Sequence, residues 1–205
     1  MNLHDGVLAL VALGCYLIGS VSFAIVVSRR MKLPDPRTFG SKNPGATNLL
    51  RGGNRTAAAL ALLGDACKGW LAVWGVMHGL VPLGVDPAAT EVAAIAVFLG
   101  HGYPIFFGFK GGKGVATALG ILLALNPLLG LCSLTVWLSV MAVTRISSLS
   151  ALCTSVATPV FGVFLLASWG MRGTVLLLAV ILLAHHHANI RKLLAGEETI
   201  FRKKS

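Results

Sequence analysis

The sequence predicts an all-α fold: a polytopic membrane helix bundle of seven transmembrane helices, with the N-terminus outside and the C-terminus cytoplasmic. Three observations lead there. Of 205 residues, 56% are hydrophobic and only 12% charged, against about 25% charged in soluble globular domains. The apolar residues come in blocks near the roughly 20 residues that a helix needs to cross a hydrocarbon core of about 30 Å. The basic residues gather in short clusters at the ends of those blocks, so the net charge of +10 reports topology and not a nucleic-acid partner. The length leaves no room for a separate soluble domain, and residues 1–205 are expected to form a single integral-membrane domain.

The first expected span, about residues 6–28, ends on Arg29, Arg30 and Lys32, which the positive-inside rule puts in the cytoplasm. After a polar loop a second span runs over about 56–80, and the connection 81–91 carries Asp86 and Glu91 but no Lys or Arg, as an external loop should. A third span, about 92–109, returns to a cytoplasmic Lys-Gly-Gly-Lys-Gly at 110–114. A fourth rises to the turn at Asn126 and Pro127, its start diluted by Ala, Gly and Thr. The fifth descends over 128–144 to Arg145, the sixth covers about 150–169, and the seventh runs from Thr174 through a histidine cluster to Ile190. Seven spans place 15 of the 17 basic residues inside, with Lys68 and Arg172 the exceptions. An even number would expel either the glycine loop or the tail that holds Arg191, Lys192, Arg202, Lys203 and Lys204.

The four cysteines, Cys15, Cys67, Cys132 and Cys153, stand singly in apolar segments without metal-ligand spacing, and read as small buried hydrophobes. No metal and no cofactor is expected. The first residues lack the basic region of a cleaved signal peptide, so the first apolar segment is expected to remain as a span.

Chemistry concentrates in three polar clusters. Residues 37–51 set Arg37, Ser41, Lys42, Asn43, Thr47, Asn48 and Arg51 around Gly40, Pro44 and Gly45. Glycine turns that expose backbone N–H groups, beside two guanidiniums able to grip phosphate bidentately, suit a phosphate. A basic loop that only fixed topology would not need so many neutral donors. The second cluster, Lys110, Gly111, Gly112, Lys113 and Gly114 with Thr117, is a glycine-rich loop running into a helix N-terminus, an anion cradle. It lacks the Walker A spacing, so no ATPase is implied. The third is His186 with Asn189, three apart and expected on one helix face; His185 and His187 read as interfacial polar residues. All three clusters fall at the cytoplasmic ends of their spans.

Inside the second span lie Asp65 and Lys68. A helix starting at Thr56 carries Asp65 about 15 Å into the apolar core, where an unpaired charge costs at least about 3 kcal/mol. A tethered pair at a cavity edge answers this, with Lys68 within reach of a phosphate. His101, just ahead of Pro104, reads as a structural or cavity-edge residue serving backbone groups freed by the proline at least as readily as a catalytic one.

At these residues the chain resembles the bacterial integral-membrane acyl-phosphate:glycerol-3-phosphate acyltransferases. The resemblance is carried by Gly-Ser-Lys-Asn-Pro-Gly-Ala-Thr-Asn at 40–48 with Arg51, by Asp-Ala-Cys-Lys-Gly at 65–69, by residues 108–117, and by His-His-Ala-Asn-Ile at 186–190. It spans nearly the whole chain. It implies seven spans with an external N-terminus, in agreement with the charge count. It also implies transfer of a fatty acyl group from acyl-phosphate to the 1-hydroxyl of glycerol 3-phosphate, giving lysophosphatidic acid and phosphate in the first step of phospholipid synthesis.

On that resemblance Ser41, His186 and Asn189 are the catalytic candidates, and Arg37, Asn43, Gly45, Asn48, Arg51, Lys68, residues 110–114 and Thr117 the candidate phosphate ligands. An acyl phosphate is already activated, and no G-x-S-x-G elbow is present, so a direct transfer by positioning and charge neutralisation is expected rather than an acyl-enzyme. The expected setting is the bacterial inner membrane, active site toward the cytoplasm, with the bilayer and the two phosphorylated substrates as partners and no obligate protein partner. The rival reading is a membrane transporter or binding protein for an organic phosphate. It predicts broken helices, a midplane site and related halves, and no inverted repeat is visible.

Overall fold

A computed structural model describes residues 3–198 and 200, and every described element is helical. The chain forms two compact units, one ending at Leu125 and the other beginning at Asn126. Arg202, Lys203 and Lys204 of the basic tail lie outside the described residues.

The first unit holds α1 (Leu3–Ser20), α2 (Phe23–Arg30), the short α3 (Ala46–Arg51), α4 (Arg55–Gly75), α5 (Ala88–Gly102) and α6 (Val115–Leu125). The segment expected as one straight span over 6–28 is two helices bent by 41°. The break at Val21 and Ser22 frees backbone groups inside an apolar region, and an intramembrane ion pair takes them up. Lys68 Nζ donates to the Val21 carbonyl at 2.6 Å, and the Phe23 N–H reaches Asp65 Oδ1 at 3.4 Å. Such re-satisfaction is what a broken helix needs where water is absent.

Glycines let these helices approach to backbone contact. A Cβ on Gly19 would meet the Val97 carbonyl and one on Gly100 the Tyr16 carbonyl, so α1 and α5 pack through small residues. The same holds for α4 and α6, where Gly69 faces the Thr117 carbonyl and Gly120 the Ala66 carbonyl. Small residues at the seam are the usual device where lipid offers no hydrophobic drive between helices.

The second unit holds α7 (Pro127–Thr144), α8 (Ser147–Leu165), α9 (Trp169–His185) and α10 (His187–Leu194). Asn126 caps α7, its oxygen accepting from the Leu128 and Leu129 N–H groups at 2.9 and 3.1 Å, and its amide donates to the Leu165 carbonyl at 3.0 Å. Ser133 and Thr158 join α7 to α8 through their hydroxyls at 2.9 Å. Arg172, out of place by charge, donates to the Leu166 carbonyl at 2.8 Å and lies over the Trp169 ring.

Among the described residues four helices are long and apolar enough to cross a membrane, or up to six if each of two bent pairs is one span. The fourth expected span corresponds to α6, whose 11 residues extend only about 16 Å. Leu10, Leu63, Val143, Phe164 and Trp169 are each at least 55% exposed, a burden in water and a fit to lipid. Cys67 departs from the sequence reading, being exposed on α4, while Cys15 is buried.

Candidate active site

The loop between α2 and α4 is organised from within. Asn48, 1% exposed in α3, accepts the Ser41 N–H at 3.0 Å and donates to the carbonyls of Pro36 and Phe39 at 2.7 and 3.1 Å. Gly40 has φ +56°, and a Cβ there would run into the Asn48 amide oxygen. Asn48, expected as a phosphate ligand, is therefore corrected to an internal staple whose two N–H groups are both engaged. Leu49 beside it enters a core with Ala24, Ala57, Ala58 and Ala61, which seats α3 on α2 and α4. The staple leaves Ser41 and Lys42 exposed, and Asn43, Gly45 and Arg51 half buried; the Asn43 carbonyl accepts the Gly45 N–H at 2.9 Å.

Arg37 also differs from the open cradle expected of it. Its Nε and Nη2 grip Asp35 in a fork, at 3.0 and 2.7 Å to the two carboxylate oxygens, and Nη1 donates to the Phe107 carbonyl at 3.3 Å. The hydrogen bonds from Arg37 hold the Asp35 carboxyl below its usual range, and the same pairing raises the guanidinium. Arg37 is thus a strut between this loop and the segment leading into the glycine loop. Asp35 was missed in the sequence, although it is the one acid between Arg29 and Arg55 and so the natural counter-ion there.

Asp65 and Lys68 form the expected pair, with Nζ to Oδ1 at 2.8 Å. Both are almost fully buried, and His101 joins them: its Nδ1 lies 3.1 Å from Lys68 Nζ and 3.6 Å from Asp65 Oδ1. The three N–H donors of Lys68 go to Asp65, Val21 and His101. That arrangement corrects the reading of Lys68 as a phosphate ligand, because no donor is left over and the group is inside the protein. His101 does not serve the proline break alone. It completes a buried triad that spacing in the sequence, 33 residues from Lys68, could not reveal.

The glycine loop packs on that triad. Gly112 N–H donates to the His101 carbonyl at 3.2 Å. A Cβ on Gly111 would strike the same carbonyl, and one on Gly112 would meet His101 Nε2 and lie 3.1 Å from the Pro44 carbonyl. Gly114, at φ +91°, abuts the Phe98 ring. Lys110 is exposed and Lys113 half buried. Thr117 is fully buried on the face of α6 that meets Gly69, which places it in the helix seam. Two of the three predicted clusters therefore meet, at Gly112 and Pro44, with Arg37 and Phe107 as a second tie.

The third cluster lies in the second unit. The expected single helix face for His186 and Asn189 is not what forms: α9 and α10 are bent by 59°, and His186 sits at the break with φ −98° and ψ 9°. Its Nδ1 is 2.8 Å from the Leu182 carbonyl, which can only accept, so Nδ1 carries a proton. Asn189 donates to Glu198 at 2.9 Å, a partner in the tail that the sequence reading did not consider.

In chemical terms the first unit offers backbone N–H groups, exposed lysines and a half-buried arginine around a rigid glycine seam, a setting for an anion. Residues 9–196 match the family model described as glycerol-3-phosphate acyltransferase. The chain belongs to the glycerol-3-phosphate acyltransferase family. A relative of that name from Paraburkholderia phymatum is 55% identical over 190 residues, 93% of this chain and 90% of its own. One from Thiobacillus denitrificans is 53% identical over 196 residues, 96% and 98% of the two chains. The crystal structure of PlsY (YgiH), an integral membrane glycerol 3-phosphate acyltransferase in its glycerol 3-phosphate form, superposes with a TM-score of 0.88 at 32% identity, covering 95% of this chain and 96% of that one. The lysophosphatidic acid form of PlsY matches with a TM-score of 0.87. As a member of this family the chain is an acyltransferase and a multi-pass integral membrane protein.

Proposed function

We propose that this acyltransferase moves a fatty acyl group from acyl-phosphate to the 1-hydroxyl of glycerol 3-phosphate, giving lysophosphatidic acid and inorganic phosphate. The meeting of the two predicted anion loops at Gly112 and Pro44 carries the reading, because a donor and an acceptor that both bear phosphate need two cradles side by side. The relatives bear the name of the acceptor, and PlsY has a glycerol 3-phosphate and a lysophosphatidic acid form. The hydroxyl oxygen attacks the acyl carbon, the new ester C–O bond forms, and the anhydride C–O bond breaks with phosphate leaving. The departing or bound phosphate, with a second pKa of about 6, accepts the hydroxyl proton.

The residues proposed for this are Arg51, Asn43, Gly45, Lys110, Lys113 and the amides of 111, 113 and 114 as phosphate ligands, with Ser41 aiding the reacting groups. His186 and Asn189 are proposed, on the family resemblance, to position the acceptor. The setting is the bacterial inner membrane with the loops toward the cytoplasm, in seven spans formed by the four long helices, the two bent pairs and α6. Fifteen of the 17 basic residues then lie inside, in accord with the positive-inside rule, and both compact units serve one acyltransferase domain.

The test is purified protein in lipid with acyl-phosphate and labelled glycerol 3-phosphate. Labelled lysophosphatidic acid and phosphate should appear in equal amounts. Product from a thioester donor but not from acyl-phosphate would overturn the donor assignment, and label bound or moved into vesicles without product would make the chain a transporter.

A further inference from the structure

The Asp65–Lys68 pair is almost fully buried, yet it is tied to three separate segments. Lys68 holds the Val21 carbonyl, Asp65 the Phe23 N–H, and His101 of α5 leans on both through Nδ1. The third segment is the glycine loop, which meets the triad through His101: on its carbonyl through Gly112 N–H, and on its ring where Gly112 lacks a Cβ. Nδ1 of His101 faces the Lys68 ammonium and, farther off, the Asp65 carboxylate. The opposite ring edge, at Nε2, is thereby aimed at Gly112, beside the Pro44 carbonyl.

We infer that His101 is a positioning residue for acyl transfer, which transmits the rigidity of the Asp65–Lys68 pair to the Gly111–Gly112 backbone and sets the spacing between the two anion loops. This rests on the phosphate-binding reading of the glycine loop given above. A buried ionic group serves here to fix one geometry rather than to add stability. An anion cradle made of backbone amides gains affinity only if those amides are held in place before the ligand arrives.

His101→Asn tests this, because an asparagine oxygen lies near the position of Nδ1 and keeps an acceptor for Lys68, while nothing replaces the Nε2 edge. The thermal midpoint should stay within a few degrees of wild type, and KM for glycerol 3-phosphate or acyl-phosphate should rise about tenfold with kcat changed less than about threefold. His101→Gln, which restores an amide near the Nε2 position but leaves Lys68 unmatched, should lower the midpoint and bring that KM back toward wild type. Unchanged KM values for both substrates in His101→Asn overturn the inference. If that variant fails to fold, Gly112→Ala takes its place, since its Cβ presses on the Nε2 edge with the triad intact. The same KM rise supports the inference, and wild-type KM values sink it. Should the wild-type protein show no acyl transfer, the proposed function fails by itself. The inference is then read from hydrogen exchange at residues 110–114, faster in His101→Asn if it holds and unchanged if it does not.

Discussion

Asn48 and Lys68 each carry a full set of hydrogen-bond donors, and each turns them inward, to loop carbonyls in one case and to a helix break in the other. Arg51 is left as the half-buried guanidinium of this loop without an acidic neighbour in sequence. Arg51→Lys should lower kcat/KM about tenfold or more, since an ammonium keeps the charge but not the planar two-bond grip; Arg191→Lys, exposed in α10, should stay near wild type, and equal values for the two variants in the acyl-transfer assay would refute the grip. Asp35 gives a pH signature. Its folded pKa is depressed by the Arg37 hydrogen bonds, so its contribution is present above the unfolded value of about 3.9 and is lost as pH falls through the lower folded value. Wild type should therefore exceed Asp35→Asn in thermal midpoint at pH 5 to 8, and the two curves should converge at about pH 3 or below; a constant gap down to that pH would show that Asp35 acts without its charge.

His186 separates two proton routes at the same scale. With Nδ1 donating to Leu182, any proton that this ring takes up in the reaction goes to Nε2; a phosphate can accept it as well. His186→Asn, which hydrogen-bonds but does not titrate near neutrality, should raise KM for glycerol 3-phosphate with substantial turnover kept. A collapse of kcat by about a hundredfold that alkaline pH does not restore would make His186 the general base.

At the scale of elements, the helix seams decide stability. Gly120 has the Ala66 carbonyl where its Cβ would be, whereas Gly75, in the last turn of α4, has nothing within 4 Å. Gly120→Ala must push α6 from α4 and should cost about 1–3 kcal/mol. Gly75→Ala, at an α-helical φ of −63°, should be neutral or mildly stabilising. Thermal midpoints in one detergent check both, and equal shifts would mean that the seam yields more easily than backbone contact implies. The two bends follow the same logic of backbone satisfaction: the Val21 break has Lys68 and Asp65, and the His186 break has its own ring on Leu182.

For the molecule as a whole, the proposed seven-span topology makes one testable demand. In a background with the four native cysteines replaced, Asp86→Cys should react with a membrane-impermeant maleimide in intact cells. Arg145→Cys should react only after the membrane is opened. Labelling of both, or of Arg145→Cys alone, would sink the assigned orientation.

The membrane class and the all-helical architecture were readable from the chain, because hydropathy is a local property of consecutive residues. The Asp65–Lys68 tether was readable too, since a three-residue spacing on a helix brings two side chains together wherever that helix packs. The part played by His101, the diversion of Lys68, Asn48 and Arg37 from ligand to scaffold, and the burial of Thr117 were not. Each depends on which carbonyl or ring arrives from a segment 9 to 70 residues away, and one chain's residue types do not say which donors are already engaged. The breaks at Val21 and His186 were hidden for a related reason. Neither carries proline, and although Gly19, Ser20 and Ser22 weaken the helix at the first break, it is partners supplied by tertiary contact, or by the ring of His186 itself, that make the bend cost less than the straight span.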